Sequence, residues 1–233
     1  MFRILKQQAA LLNTPQWKHM YLLLYWIVYL VGFQIIEHIN FSEYHILHCS
    51  LDDIIPFNEY FVIPYVYWFL YMGTMAVYTV FFDKDAFAYY MKMVIVTSLV
   101  AMTTYCIYPN GLELRPGNFE RDNIFTRFVA FIYSFDTSTN VCPSLHVSGT
   151  LLTLFTSRRC DKFDRPAYKV YFSVTAILIC MSTVFLKQHS VIDVFWGLVS
   201  ALAADFAVNY KQLKIKLDSY KRVGDSSLDK LNN

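Results

Sequence analysis

Long apolar runs alternate with short polar ones along the whole chain, and that rhythm sets the first expectation. Crossing about 30 Å of hydrocarbon takes roughly 20 helical residues. Apolar blocks of about that length lie at 17–36, 61–82, 89–108, 167–186 and 191–208. A sixth block, 143–156, is shorter and carries Ser144, His146, Ser148, Thr150 and Thr153. So polar a stretch is costly against lipid, and the pattern predicts a helix lined by the other five. The expected fold is all-α, an integral membrane six-transmembrane-helix bundle forming a single membrane domain over residues 1–233. The first block ends in Gln34, Glu37 and His38 without a small-residue cleavage site, so it reads as a retained anchor rather than a cleavable leader.

Composition sharpens this picture. The 233 residues are 56% hydrophobic and 16% charged, against about 25% charged in an average soluble domain. A water-soluble globule is therefore not expected, and the abundant apolar and aromatic residues exclude a disordered or low-complexity chain. The net charge of +2 is small, and the 20 basic residues are scattered between apolar blocks, which leaves no footprint for nucleic acid. Their placement reports topology instead, because short cytoplasmic loops retain Lys and Arg. With the N-terminus inside, 16 of the 20 fall in cytoplasmic segments, and only Arg115, Arg121, Arg127 and Lys187 remain on the opposite face. Both termini are expected to be cytoplasmic, with 211–233 a basic tail that reads as a stop-transfer flank.

Several polar groups receive modest readings. The five cysteines form no CxxC pair; only Cys49 and Cys142 fall in outer loops, and they are not expected to pair. Glu43, His45, His48, Cys49, Asp52 and Asp53 are too loosely spaced for a metal site and read as a solvated loop. Arg121 and Arg127 flank Asp122 and read as rim ion pairs. Glu59 and Asp205 read as interfacial or bundle-facing, and Asp136 receives no specific role.

The chemistry concentrates at two helix starts. His189 and Asp193 stand four apart at the opening of the last block, so they share a helix face. A carboxylate one turn below an imidazole accepts its ring N–H and leaves the other nitrogen free to attack. The weak block opens with Asn140, Val141, Cys142, Pro143, Ser144, Leu145 and His146. Pro143 suits a first turn, Asn140 or Ser144 suits a cap, and the free amides of such a start attract anions. Ser144 adds a hydroxyl and His146 an acid. Arg115, followed by Pro116, lies in the outer loop 109–141, where a guanidinium can clamp a phosphate. The charge count, made without regard to these residues, places all of them on one side of the membrane.

Arg-Pro, then Pro-Ser-x-His, then His-x-x-x-Asp, in that order on successive segments, resembles the type 2 phosphatidic acid phosphatase family over about residues 60–210. The resemblance implies metal-independent phosphoryl transfer without a cofactor. It makes His189 the nucleophile of a phosphohistidine, Asp193 its orienter and His146 the acid for the leaving oxygen. Arg115, Ser144 and the amides around Leu145 would hold phosphate oxygens. The chain departs from the family at Tyr108, where a Lys stands, at Leu145, where a Gly stands, and at Thr183, where an Arg stands. Lys187, isolated on the charge-poor face, is the candidate replacement for a missing phosphate-binding cation. Pro-Ser-Leu-His is similar to the inositol-phosphorylceramide synthase branch, which keeps head-group transfer open beside hydrolysis. The implied partners are membrane lipids, with a lipid phosphate or polyprenyl diphosphate as substrate at the extracytoplasmic face. A silent lipid-binding protein is the reading from outside enzymology.

Overall fold

The computed structural model of the chain describes residues 17–39 and 41–210, so the basic tail at 211–233 lies outside the described residues. Among the described residues the helices run in this order, beside a short helical turn at Asp161–Phe163: α1 (Lys18–Glu37), α2 (Ser50–Ile54), α3 (Glu59–Phe82), α4 (Lys84–Ile107), α5 (Ile124–Phe135), α6 (Leu145–Ser157), α7 (Pro166–Phe185) and α8 (Val191–Tyr210). Strands β1 (His45–Ile46) and β2 (Asn110–Gly111) pair in parallel and tie two loops together at one end of the bundle.

Five helices, α1, α3, α4, α7 and α8, are long and apolar enough to cross a membrane. The sixth expected crossing is α6, and its 13 residues reach only about 20 Å at about 1.5 Å per residue. It packs against α3, α4 and α7, with Val147, Gly149, Thr150, Leu152, Thr153 and Thr156 all buried. Its hydroxyls turn back onto its own carbonyls: Thr150 donates to His146 O at 2.6 Å, Thr153 to Gly149 O at 2.9 Å and Thr156 to Leu152 O at 2.7 Å. A polar helix is thereby satisfied in an apolar surround.

Glycine decides how closely α6 is approached. A Cβ on Gly197 of α8 would lie 2.8 Å from Ser144 O and 2.9 Å from Val147 Cβ. On Gly149 of α6 it would lie 2.7 Å from Met72 Sδ and 3.0 Å from the Trp68 ring. The start of α8 therefore rests against the start of α6, which brings both sets of candidate residues together.

The loop 109–141 contains a helix that block length alone does not predict. α5 is N-capped by Asn123, whose side chain accepts from Phe125 N at 2.9 Å and Thr126 N at 3.0 Å. Val129 and Ile132 bury themselves against Val62, Tyr65 and Leu186, while Ile124, Phe128, Phe131 and Phe135 stay exposed. Twelve residues are too few to span, but one apolar face is enough to dock the helix beside α3.

Candidate active site

The turn into α8 is pinned from three directions. Asp52, in α2, accepts from Ser190 Oγ at 2.6 Å, Val191 N at 2.9 Å and Cys49 N at 2.9 Å. Burial raises the Asp52 carboxyl, but these bonds outweigh it and hold the group below its ordinary value. Thr183 O at the end of α7 accepts from both Gln188 N at 3.0 Å and His189 N at 3.1 Å. Lys187 takes the left-handed conformation, φ 53°, that closes this turn. Asp193 Oδ2 then accepts from Ser190 N at 2.9 Å and lies 3.3 Å from His189 Nδ1. Asp193 is fully buried, with Oδ2 bonded into this turn and Oδ1 without a hydrogen-bond partner. A bond at Nδ1 places the ring proton there and leaves Nε2 as the nitrogen available for attack.

The start of α6 is equally constrained. Ser144 is fully buried and its hydroxyl caps the helix, accepting from Val147 N at 3.3 Å. The Asn110 amide holds the approach to it, with Oδ1 accepting from Val141 N at 3.0 Å and Cys142 N at 2.8 Å, and Nδ2 donating to Cys142 O at 3.0 Å. His146 follows one residue into the helix. Its ring is packed between Tyr65 and Trp68, both centroids at 4.5 Å, and lies edge-on to His189 at 5.6 Å. His146 Nε2 is buried without a hydrogen-bond partner.

Both histidines line a cavity of about 370 Å³, walled by aromatic residues of α1, α3 and α5 and by Leu145, Asp136, Gln188 and Asn140. Behind Gln188 stands Arg115. Its Nη2 donates to Gln188 Oε1 at 2.5 Å and Thr137 O at 2.9 Å, and its guanidinium lies 4.4 Å over the Tyr133 ring. Gln188 Nε2 donates in turn to Asp136 Oδ2 at 3.1 Å, which also accepts from Tyr65 OH at 3.3 Å. Burial raises the Asp136 carboxyl above its ordinary value, with Arg115, His189 and the Tyr65 bond opposing it.

The sequence-predicted residues thus divide. His146, His189 and Leu145 line the cavity; Asp193 stands behind His189; Arg115 stands behind Gln188; Ser144 is taken up in capping α6. Lys187 is a correction. Its Nζ donates to the carbonyls of Asp52 at 2.6 Å and Ile55 at 2.5 Å, so it closes the end of α2 and does not line the cavity. Its partners lie more than 130 positions away, and spacing does not reveal them.

The solvated-loop reading is also corrected at one position, since Asp52 is buried. The rest of that loop does not converge: His48 pairs with Asp53 at 2.8 Å on the surface, and His45 stacks on Tyr108 at 4.1 Å. Glu59 is fully buried and accepts from Arg121 at 3.0 Å and Asn123 at 2.9 Å, so Arg121 locks α3 to the cap of α5. Arg127 forms the exposed pair with Asp122 at 2.8 Å. The five cysteines are unpaired. Sequence reasoning gave no site role to Gln188, Asp136 or Glu37 and read Asn140 only as a possible cap, a place that Ser144 takes; the one available signal was an ionisable or amide group flanking an apolar block. Comparison with protein-family models, with curated proteins and with solved structures returns no match for this chain.

Proposed function

We propose that the chain is a metal-independent lipid phosphatase of the outer membrane face, working through a phosphohistidine on His189. The observation that carries this reading is His189, paired to buried Asp193 through Nδ1 and sharing one cavity wall with His146, whose Nε2 has no partner. His189 Nε2 attacks phosphorus, the bond to the leaving oxygen breaks, and His146 gives that oxygen a proton. Water then attacks the phosphohistidine, giving a proton back to His146 and releasing phosphate. The amides at the start of α6 offset the developing negative charge, and Arg115 adds its positive field from behind Gln188. Lipid phosphates and diphosphates are the candidate substrates, and head-group transfer to an alcohol is the same chemistry with a different second attacker.

The test is phosphate release from a panel of lipid phosphates and diphosphates by purified protein in EDTA, beside His189→Ala and His146→Ala. Release that survives the chelator and disappears in both variants is the expected result. No release and no acid-labile phosphoprotein with any lipid would overturn the reading in favour of a silent lipid binder.

A further inference from the structure

The cavity beside the histidines has an unusual balance for a site that handles phosphate. Its wall includes two carboxylates, Glu37 and Asp136, and no lysine or arginine. Glu37, at the end of α1, is held by neutral donors only: Thr137 Oγ1, Thr139 Oγ1 at 3.3 Å and Asn140 Nδ2 at 3.4 Å. Among the described residues no basic side chain pairs with it. A half-buried carboxylate that is held by neutral donors and lacks a counter-charge can accept a cation.

Asn140 points the same way independently. It is 5% exposed and has the left-handed φ of 55° that asparagine tolerates. Asn140 N is tied to Asn110 O at 2.7 Å, and the next two amides are tied to the Asn110 side chain, so this amide is not free to swing. Because a carboxylate only accepts, the bond to Glu37 fixes which end of the amide is NH2. The opposite end, Oδ1, is buried in the cavity wall with no donor. Tyr29, Phe33, Tyr65 and Tyr105 present ring surface to the same space, and aromatic faces attract a cation.

An anionic carboxylate, an unfilled acceptor and aromatic faces together suit a primary ammonium: it carries charge for Glu37 and an N–H for Asn140 Oδ1. A quaternary ammonium has no N–H to give, and an uncharged hydroxyl leaves Glu37 without a counter-ion. We propose that this cavity binds the primary ammonium of an ethanolamine-class phospholipid head group, so that the lipid presented to His189 is a zwitterionic phosphodiester. The inference rests on His189 as the nucleophile and takes the head-group-transfer form of that reading, since a phosphodiester split at the diacylglycerol oxygen yields a 2-aminoethyl phosphoryl group and not inorganic phosphate. His189 Nε2 forms the N–P bond, the P–O bond to the diacylglycerol oxygen breaks, and His146 protonates that oxygen. The 2-aminoethyl phosphoryl group then passes from His189 to water or an alcohol, whose proton returns to His146.

The test titrates the purified full-length protein with three soluble head-group probes: phosphoethanolamine, phosphocholine and ethyl phosphate. Phosphoethanolamine is expected to bind about tenfold more tightly than ethyl phosphate, with phosphocholine between them. Glu37→Gln is expected to bring the three within about twofold of one another. Ethyl phosphate binding as tightly as phosphoethanolamine, or phosphocholine binding more tightly, would overturn the proposal. That comparison needs only the unmodified protein, so it stands even if Glu37→Gln does not fold. Trapping of a covalent adduct on His189 from both phosphatidylethanolamine and phosphatidic acid, measured alongside, separates the two claims. A phosphoenzyme with no amine preference sinks the head-group assignment alone, whereas amine preference without a phosphoenzyme sinks the catalytic reading alone.

Discussion

Two carboxylates meet the same turn and act on it differently. Asp193 bonds the His189 ring, and Asp52 bonds Ser190 and Val191 at the start of the helix that carries Asp193. Asp193→Asn preserves size but offers the ring an amide that can present N–H instead of oxygen, so turnover is expected to fall by about 10³- to 10⁴-fold with little change in stability. Single-turnover phosphoenzyme formation reads this directly. Asp52→Ala removes three accepted bonds from a buried site, and is expected to destabilise the protein by about 2–3 kcal/mol in detergent unfolding.

The Asp52 contribution is also pH-dependent, and its sign follows from the bonds. Burial raises the carboxyl, the three bonds outweigh burial, and the folded-state value lies below that of the unfolded chain. The stabilisation is therefore fully present above about pH 4, the unfolded aspartate value, and is lost as pH falls through the folded one. Unfolding midpoints of the parent and Asp52→Asn, well separated at neutral pH, are expected to converge in acid. His189, Asp193 and His146 were legible because their pairing or helix position is local, four residues or one turn. Asp52 was not, because its partners lie 138 and 139 positions away and no spacing rule reaches that far.

Among the elements, α6 shows why a short polar helix belongs in this bundle. It is too short to cross alone, yet its start supplies His146 and receives α8 at Gly197. Gly197→Ala puts a methyl group against the Ser144 carbonyl and Val147 Cβ, which is expected to cost about 1–3 kcal/mol and to lower phosphoryl turnover by spreading the two histidines. Gly73→Ala in α3 meets nothing within 4 Å and is expected to be neutral or stabilising by about 0.5–1 kcal/mol. Comparing the pair in thermal unfolding separates close approach from helix propensity. The long helices were legible from apolar length, and their edges moved for local reasons. α4 begins at Lys84, five residues before the apolar block, because the Asp83 side chain caps it by accepting from Ala86 N at 3.0 Å. α5 escaped because its signal is one apolar face, not a continuous run.

For the molecule as a whole, the two ends of the bundle differ in chemistry. The loops around residues 38–58, 108–144 and 186–190 gather at the end that holds the candidate site. The turn at Asp161–Phe163 lies at the other end, where Phe163 packs on Tyr78 and Arg159 bonds Asn209. The Lys and Arg count leads to the expectation that the first end faces the extracytoplasmic side. Cysteine placed at exposed Gly117 is then expected to react with a membrane-impermeant maleimide on intact cells above the background of the native cysteines. Cysteine at exposed Lys162 is expected to react only after permeabilisation. Labelling in the opposite order would invert the topology and put the histidines on the cytoplasmic face.

The clasp between α2 and the α7–α8 turn has a bearing on how the protein is made. Lys187 holds the carbonyls of Asp52 and Ile55, and Asp52 holds Ser190 and Val191. The docking point leaves the ribosome roughly 135 residues before the segment that docks. An incomplete chain thus carries His146 and a waiting receptor but not His189. His189 therefore takes the position described here only once the last helix is in place and the earliest loop has captured it.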